Sequence, residues 1–297
     1  MSTPSPHSPN HPPAGIASPS AAPGLAKPRL LIRAGHSEQH YWQDLWRYRE
    51  LFYFLAWRDV LVRYKQTAIG VAWAVLRPLL TMLVLCFVFR SIANIPSGGV
   101  PYPLLVFAGM LPWQFFANAL SESSSSLVGN ANLISKVYFP RLIVPASSVI
   151  VSLVDFLVSF LILLGLMAWY RFAPSVRILA LPGLVGLAFF AALGPGLLMT
   201  ALNVRYRDFR YVIPFVVQFG LYLSPVGFVS SAVPERWRLL YALNPMVGVI
   251  DGFRWAICGL TPESWLPLGL ALVVSSVLLV AGIICFRRTE RTFADII

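Results

Sequence analysis

Six long apolar runs separate the basic segments of this 297-residue chain. They cover about 71–92, 103–126, 142–169, 178–202, 211–230 and 264–286. A transmembrane helix needs about 20 consecutive apolar residues, and each run has that length. The sequence therefore predicts an all-α integral membrane protein with six transmembrane helices.

The composition excludes an ordinary soluble enzyme. Only 12% of the residues are charged and 57% are hydrophobic, whereas a soluble domain carries about 25% charged residues. The formal net charge is +11. In a membrane protein such an excess reflects basic cytoplasmic loops, so we expect no nucleic-acid partner.

The distribution of basic residues predicts the orientation. If the N-terminus is cytoplasmic, 17 of the 23 Lys and Arg residues fall on the cytoplasmic side of the six runs. Cytoplasmic loops of membrane proteins carry this bias. We therefore expect a multi-pass protein of the cell inner membrane with both termini in the cytoplasm.

Composition divides the chain into four parts. The Pro- and Ser-rich start cannot bury enough apolar surface to fold, and the Arg-rich aromatic segment after it suits a helix in the headgroup plane. The predicted parts are a disordered cytoplasmic tail (1–38), an interfacial amphipathic helix (39–68), a transmembrane domain (69–289) and a cytoplasmic C-terminus (290–297).

The connection before the last run is too long and too apolar for a simple loop. Two short amphipathic segments over 234–258 are broken at Asn244-Pro245, a dipeptide typical of turns. Neither is long enough to span. We expect a re-entrant helix pair on the outer side, where neighbouring protein satisfies its backbone.

Recognisable catalytic motifs are absent from the sequence. No Gly-Lys pair exists for a phosphate-binding loop, and all four histidines precede residue 41. The membrane-embedded part therefore offers no histidine as metal ligand or general base. We predict a chain that is not an enzyme and holds no metal or cofactor, with ATP and Mg²⁺ bound by a partner subunit.

One acidic residue, Asp155, lies inside the third apolar run. It shares a helix face with Ser148, Ser152 and Ser159. Ionisable residues at membrane depth are functional by default, whereas small polar residues also hold helices together. Both a transport role and a packing role are open for this intramembrane polar residue.

Four aromatic residues form a stripe in the fifth run. Tyr211, Phe215, Phe219 and Tyr222 recur at the spacing of one helix face. Such a face packs against lipid or neighbouring helices, or it forms a pore wall on which the C–H faces of sugar rings slide.

Several segments together resemble the permease subunit of ABC-2 type polysaccharide exporters, the family that moves O-antigen, capsule or teichoic acid chains. The matching stretches are RYKQTAIGVAWAVLRPLL (63–80), YPLLVFAGMLPWQFFANAL (102–120), NANLISKVYFPRLIVPASSV (130–149), ALNVRYRDFRYVIPFVVQFGLYLSPV (201–226) and LNPMVGVIDGFRWA (243–256).

The resemblance implies a homodimer of this chain with two copies of an ATP-binding cassette subunit, exporting an undecaprenyl-linked polysaccharide. It also implies three groups of functional residues. These are a substrate channel (Tyr211, Phe215, Phe219, Tyr222, Trp73, Arg77), an ATPase-coupling segment (Asn130, Lys136, Tyr138, Phe139, Arg141) and a periplasmic gate (Asn244, Pro245, Asp251, Arg254).

The expected function is ATP-driven export of O-antigen-like polysaccharide across the inner membrane. Capsular polysaccharide or teichoic acid export by the same family is one alternative, and an ABC-2 drug or lipid exporter is another. A membrane glycosyl- or acyltransferase is a third. It would need catalytic His or paired acids near one interface, which the sequence does not offer.

Overall fold

Helices account for nearly all of the regular structure after residue 40. The computed structural model describes residues 41–65, 68–94, 98–206, 208–290 and 293. Its helices are α1 (Tyr41–Arg47), α2 (Arg49–Lys65), α3 (Ala68–Cys86), α4 (Tyr102–Gly129), α5 (Ala131–Lys136), α6 (Ile143–Trp169), α7 (Leu181–Arg205), α8 (Phe209–Tyr222), α9 (Glu235–Ala242), α10 (Pro245–Cys258) and α11 (Leu266–Glu290). The predicted all-α class is confirmed for these residues. The predicted tail over 1–38 lies outside them, as does most of the predicted C-terminus.

Among the described residues, five helical segments are long and apolar enough to cross a membrane. A π-helical turn, Phe87–Ile92, extends α3, and a 3₁₀ turn, Val176–Ala180, leads into α7. The five segments are Val75–Ile92, Tyr102–Gly129, Ile143–Trp169, Val176–Arg205 and Leu266–Glu290. They coincide with five of the six predicted runs.

The remaining run, 211–230, forms a shorter helix than expected. Helix α8 ends at Tyr222 and has 14 residues, a length of about 21 Å. The hydrocarbon core of a bilayer is about 30 Å thick, so α8 alone does not cross it. The prediction of one continuous helix over 211–230 was wrong.

Side chains from distant helices replace the missing helical hydrogen bonds after α8. The Arg254 guanidinium donates to the carbonyl oxygens of Val226 and Phe228, at 2.8 and 2.6 Å. The Tyr102 hydroxyl donates to the carbonyl of Gly227 at 2.9 Å. A buried carbonyl needs a partner. These contacts therefore stabilise an irregular segment where the apolar sequence alone favours a helix.

Helix α4 lies at the centre of the bundle, against α6, α7 and α10. In the most apolar 18-residue stretch of α4, 78% of the residues are buried, compared with 11% in Val75–Ile92. Helices α7 and α11 approach closely, since a Cβ atom on Gly282 would lie 2.3 Å from the Gly194 carbonyl oxygen. The core is therefore built from α4, α6, α7, α10 and α11, and α3 lies at its edge.

Within the segment predicted as one interfacial helix over 39–68, the described residues 41–65 form two helices, α1 and α2, separated at Tyr48. Helix α2 packs along α6. It also carries exposed aromatic side chains, including Tyr53 and Trp57, which stack with their ring centroids 6.4 Å apart. Its position in the headgroup plane stays a prediction.

The two short helices predicted over 234–258 are present as α9 and α10, and they meet at Asn244-Pro245. The Asn244 side chain accepts a hydrogen bond from the backbone N–H of Met246 at 3.0 Å, which caps α10. Gly259 follows the last residue of α10 and caps it with φ of 73°, a conformation that favours glycine. We call α9 and α10 the outer helix pair, after the side of the membrane on which the sequence predicts them. The α5 end of the bundle is the opposite end.

Candidate functional site

A cleft of about 690 Å³ lies between α3, α4, α6 and α8, and the last turn of α2 lines its rim. Trp73 and Arg77, both predicted as channel residues, line it from α3. Polar side chains lie around them: Thr81, Gln114, Asn118, Ser121 and Gln218. The cleft thus offers two indole rings, Trp73 and Trp113, two guanidinium groups, Arg63 and Arg77, and several groups that donate and accept hydrogen bonds.

An ion-pair cluster lies at the rim of the cleft. The Arg63 guanidinium donates to the Asp155 carboxylate at 2.5 Å and also to the Glu122 carboxylate. The Tyr64 hydroxyl donates to the other Asp155 oxygen at 2.5 Å. Arg63 therefore joins α2 to both α4 and α6.

The cluster raises the pKa of both Arg63 and Tyr64. Burial alone lowers the pKa of Arg63, but the carboxylates of Asp155 and Glu122 outweigh it and raise the pKa above its usual value. Burial, followed by the Asp155 hydrogen bond, raises the pKa of Tyr64. Arg63 is therefore a fixed cation and Tyr64 a fixed hydrogen-bond donor.

The predicted serine stripe on α6 divides into two parts. Ser148 and Ser152 are buried and donate to backbone carbonyls one turn earlier, which is a packing arrangement. Asp155 and Ser159 line the cleft. The packing hypothesis suits the first pair, and the second pair faces the cleft, where the transport hypothesis stays open.

The aromatic stripe on α8 lies on an exposed face. Tyr211, Phe215, Phe219 and Tyr222 are between 54 and 76% exposed, and the rings of Phe215 and Phe219 stack with centroids 5.6 Å apart. Other residues of α8, such as Gln218, line the cleft. The structure therefore brings Trp73 and Arg77 together in the cleft but places the stripe outside it.

The predicted coupling segment has an exposed part and an anchored part. Lys136 and Tyr138 are exposed, whereas Phe139 is only 4% exposed. The Asn130 amide oxygen accepts a hydrogen bond from Arg58 at 2.8 Å. Arg141 contacts Glu290 at the end of α11. The free surface is therefore centred on Lys136 and Tyr138.

The predicted gate residues lie in and around α10. Arg254 is 2% exposed and donates to the carbonyl of Leu105 at 3.3 Å, in addition to its two bonds to the segment after α8. The Asp251 carboxylate accepts from the Ser230 hydroxyl, at 2.6 Å to the nearer oxygen. Burial raises the pKa of Asp251, against opposing effects of Ser230 and Arg254. Asn244 donates to the Ser224 hydroxyl at 3.0 Å.

Two features of the site were missed from the sequence. Arg63 and Glu122 were not predicted as partners of Asp155, because 92 and 33 residues separate them from it in the chain. Arg254 was predicted as a gate residue, but its burial was not predicted. Its neighbours Phe253 and Trp255 are a signal of burial that the sequence does contain.

The fold is a bundle of apolar helices with a polar cleft and with the short helices α9 and α10 at one end. A sequence profile described as "ABC-2 type transporter" matches residues 50–258. The match covers more than half of the chain, so the protein belongs to the ABC-2 type transporter family. This confirms the resemblance drawn from the sequence.

Curated relatives cover most of the chain. The O-antigen export system permease protein RfbA of Myxococcus xanthus is 28% identical over 257 residues, 85% of this chain and 97% of that protein. RfbA of Klebsiella pneumoniae is 26% identical over 81% of this chain and 92% of that protein. The polysialic acid transport protein KpsM of Escherichia coli is 22% identical over 78% and 91%.

Proposed function

We propose that the chain is the transmembrane subunit of an ATP-driven transporter that exports lipid-linked, O-antigen-like polysaccharide across the inner membrane. The observation that carries this proposal is the cleft containing Trp73 and Arg77, within a bundle of the ABC-2 family. An indole packs on sugar rings, amides hydrogen-bond sugar hydroxyls, and a guanidinium pairs with phosphate. The RfbA relatives, named for O-antigen export, support the same substrate class.

Topology follows from the charges and the helix lengths. We place the α5 end of the bundle in the cytoplasm, together with both termini, because the basic residues accumulate there. Helix α8 and the irregular segment after it would form the sixth crossing. Irregular backbone at membrane depth is tolerated when protein satisfies it, and Arg254 and Tyr102 do so here. The outer helix pair then lies on the periplasmic side, where a re-entrant gate is expected.

Energy would come from a separate ATP-binding cassette subunit, two copies of which would bind a homodimer of this chain. Tyr138 and Lys136 offer an exposed aromatic ring beside a positive charge at the α5 end. Aromatic residues tend to dominate interface energetics. This surface is the proposed docking site for the ATPase, which would hold ATP and Mg²⁺.

A second copy of the chain would give the aromatic stripe on α8 its role. In one chain the stripe has no protein partner covering it, and Val75–Ile92 is also largely unburied. Two such faces, brought together, would enclose a path lined by aromatic rings. Many weak ring contacts suit a sliding polymer, because conduction needs binding that is also easily released.

The test measures surface polysaccharide in cells whose own permease gene is replaced by variants at matched membrane expression. We expect Phe215→Leu with Phe219→Leu to reduce export, because leucine keeps apolar area but loses the flat ring. The control is Phe190→Leu, an exposed phenylalanine on α7, which should export normally. Normal export by the double variant would remove the stripe from the channel.

A capsular polysaccharide is the second candidate, and the similarity to KpsM favours it. The polymer that disappears when this chain is lost distinguishes the two candidates. In cells that make both polymers, loss of this chain should deplete lipopolysaccharide-attached O-antigen and leave the capsule intact. Loss of the capsule alone would transfer the assignment to the second candidate.

A further inference from the structure

Helix α11 is joined to the coupling segment at its last residue. The backbone N–H of Arg141 donates to the Glu290 carboxylate at 2.8 Å, and the Arg141 guanidinium donates to the Glu290 backbone carbonyl. The same guanidinium lies 6.0 Å from the centre of the Phe293 ring. Arg141 lies three residues after Tyr138 of the exposed docking surface, so the two share one short stretch of backbone.

The surroundings of this contact are closely packed. Phe286 and Phe293 are fully buried in one cluster with Tyr41 and Leu142. The Arg287 guanidinium lies 4.7 Å from the centre of the Tyr41 ring. Burial, followed by the nearby Glu290 carboxylate, raises the pKa of Tyr41. The end of α11 is therefore fixed to α1 and to the start of α6 as well as to Arg141.

The opposite end of α11 is in backbone contact with the outer helix pair. A Cβ atom on Gly248 of α10 would lie 2.2 Å from the carbonyl oxygen of Pro267 and 2.9 Å from the Cβ of Ala271. Only glycine allows this approach without displacement of one helix. A movement of α11 along or across its axis therefore displaces α10 directly.

Between these two ends α11 is a continuous helix of 25 residues, about 37 Å long. Helix α4 also runs between the two ends, but it contains Pro112 in its interior, and an interior proline removes a helical hydrogen bond and favours bending. Helix α11 has its proline in the first turn, where no hydrogen bond is lost. Of these two connections, α11 is the stiffer.

We propose that α11 transmits the movement of the ATPase-coupling segment to the outer helix pair, with Glu290 and Gly248 as the positioning residues at its two ends. The proposal rests on the function proposed above. It adds a specific mechanical path, in which the outer pair responds to the ATPase through the last transmembrane helix.

The first test compares three variants in proteoliposomes that contain the partner ATPase. Glu290→Ala removes the acceptor for the Arg141 N–H, whereas Glu290→Gln keeps an acceptor oxygen. Glu50→Ala removes an exposed carboxylate from α2 and serves as the control. With Glu290→Ala we expect the partner ATPase to hydrolyse ATP at the wild-type rate, while the polymer exported per ATP falls roughly fivefold for one lost hydrogen bond of average strength. The other two variants should export as wild type does.

The second test examines the other end of α11 and the outer pair itself. Leu239 of α9 is 63% exposed, and Leu239→Cys, with Cys86, Cys258 and Cys285 replaced by serine, allows labelling from outside. We expect ATP to change the labelling rate in this background. Gly248→Ala and Glu290→Ala should each abolish the change, whereas Gly269→Ala, on α11 with open space around it, should preserve it.

Combining the two changes gives the deciding outcome. If Glu290 and Gly248 act on one path, the double variant should be no worse than either single variant. Additive losses, or an ATP response that survives in Glu290→Ala, would overturn the role of α11. Wild-type protein that neither binds the ATPase nor exports polymer would instead refute the proposed function.

Discussion

Two arginines hold this bundle together in different ways, and the difference separates structure from function. Arg254 is 2% exposed and donates to three backbone carbonyls, those of Leu105, Val226 and Phe228. Arg63 has a side chain that is 31% exposed and pairs with two carboxylates at the rim of the cleft. One arginine stabilises an irregular backbone, and the other neutralises two acids at the rim of the cleft.

The partners decide what each arginine can do. Backbone carbonyls do not ionise and carry no net charge, so the Arg254 contacts do not depend on the charge state of their acceptors. Carboxylates of Glu122 and Asp155 are side chains that face a solvent-accessible cleft, and an anionic substrate would compete with them for Arg63. We therefore expect the Arg254 contacts to matter mainly for stability and those of Arg63 mainly for the proposed transport.

Arg254→Gln should have the largest effect on stability. At least one carbonyl would be buried without a partner, and the combined loss should be about 3 kcal/mol or more. The free energy of unfolding is measured by denaturant titration in mixed micelles. Arg236→Gln, an exposed arginine on α9, is the control and should change it by less than about 0.5 kcal/mol. Equal effects of the two changes would contradict a structural role for Arg254.

Gly109→Ala tests whether the space around Arg254 is as restricted as its contacts indicate. The new Cβ atom would lie 2.8 Å from the Arg254 Nη2 and 3.1 Å from the Val226 carbonyl oxygen. Because three carbonyls hold the guanidinium, it cannot move away, and we expect a loss of about 1–3 kcal/mol.

The matched control for that change is Gly165→Ala on α6, where no atom lies within 4 Å of the new Cβ. The Gly109→Ala loss should also shrink in the Arg254→Gln background, since the shorter side chain leaves room. A loss that stays the same in both backgrounds would show that Gly109 acts independently of Arg254.

Much of this fold was predictable because apolar run length is a local property. Five of the six runs form helices of the expected length, and Asn244-Pro245 divides α9 from α10 as a turn dipeptide should. The run over 211–230 misled because its sequence is equally apolar throughout. Its irregular second half depends on Tyr102 and Arg254, which lie 125 and 28 residues away from their acceptors.

The candidate site was less predictable because it, too, depends on contacts between residues far apart in the chain. Helical spacing identified Asp155 and the serine stripe, but periodicity contains no information about which helix packs on that face. The contact between Arg63 and Asp155 depends on α2 packing along α6. Likewise, the family resemblance placed Arg141 in the ATPase-coupling segment, whereas its main contact is Glu290, 149 residues later.

Arg63→Gln should have the smallest effect on stability and still impair transport. Partly exposed ion pairs contribute up to about 1 kcal/mol, so the free energy of unfolding should fall by no more than that. Arg49→Gln on the same helix, an exposed arginine, is the control. Export should fall in Arg63→Gln because two unneutralised carboxylates would then repel a phosphate-bearing substrate at the rim of the cleft.

Removing the acids together with the arginine separates charge from structure. Arg63→Gln with Glu122→Gln and Asp155→Asn restores neutrality without restoring the ion pairs. If the defect is electrostatic, this triple variant should export better than Arg63→Gln alone. Its helices α4 and α6 would still lack their ion pairs to α2. Surface polysaccharide at matched expression gives the answer. Equal export by the two variants would mean that Arg63, like Arg254, serves only to hold helices together, and the distinction between the two arginines would not stand.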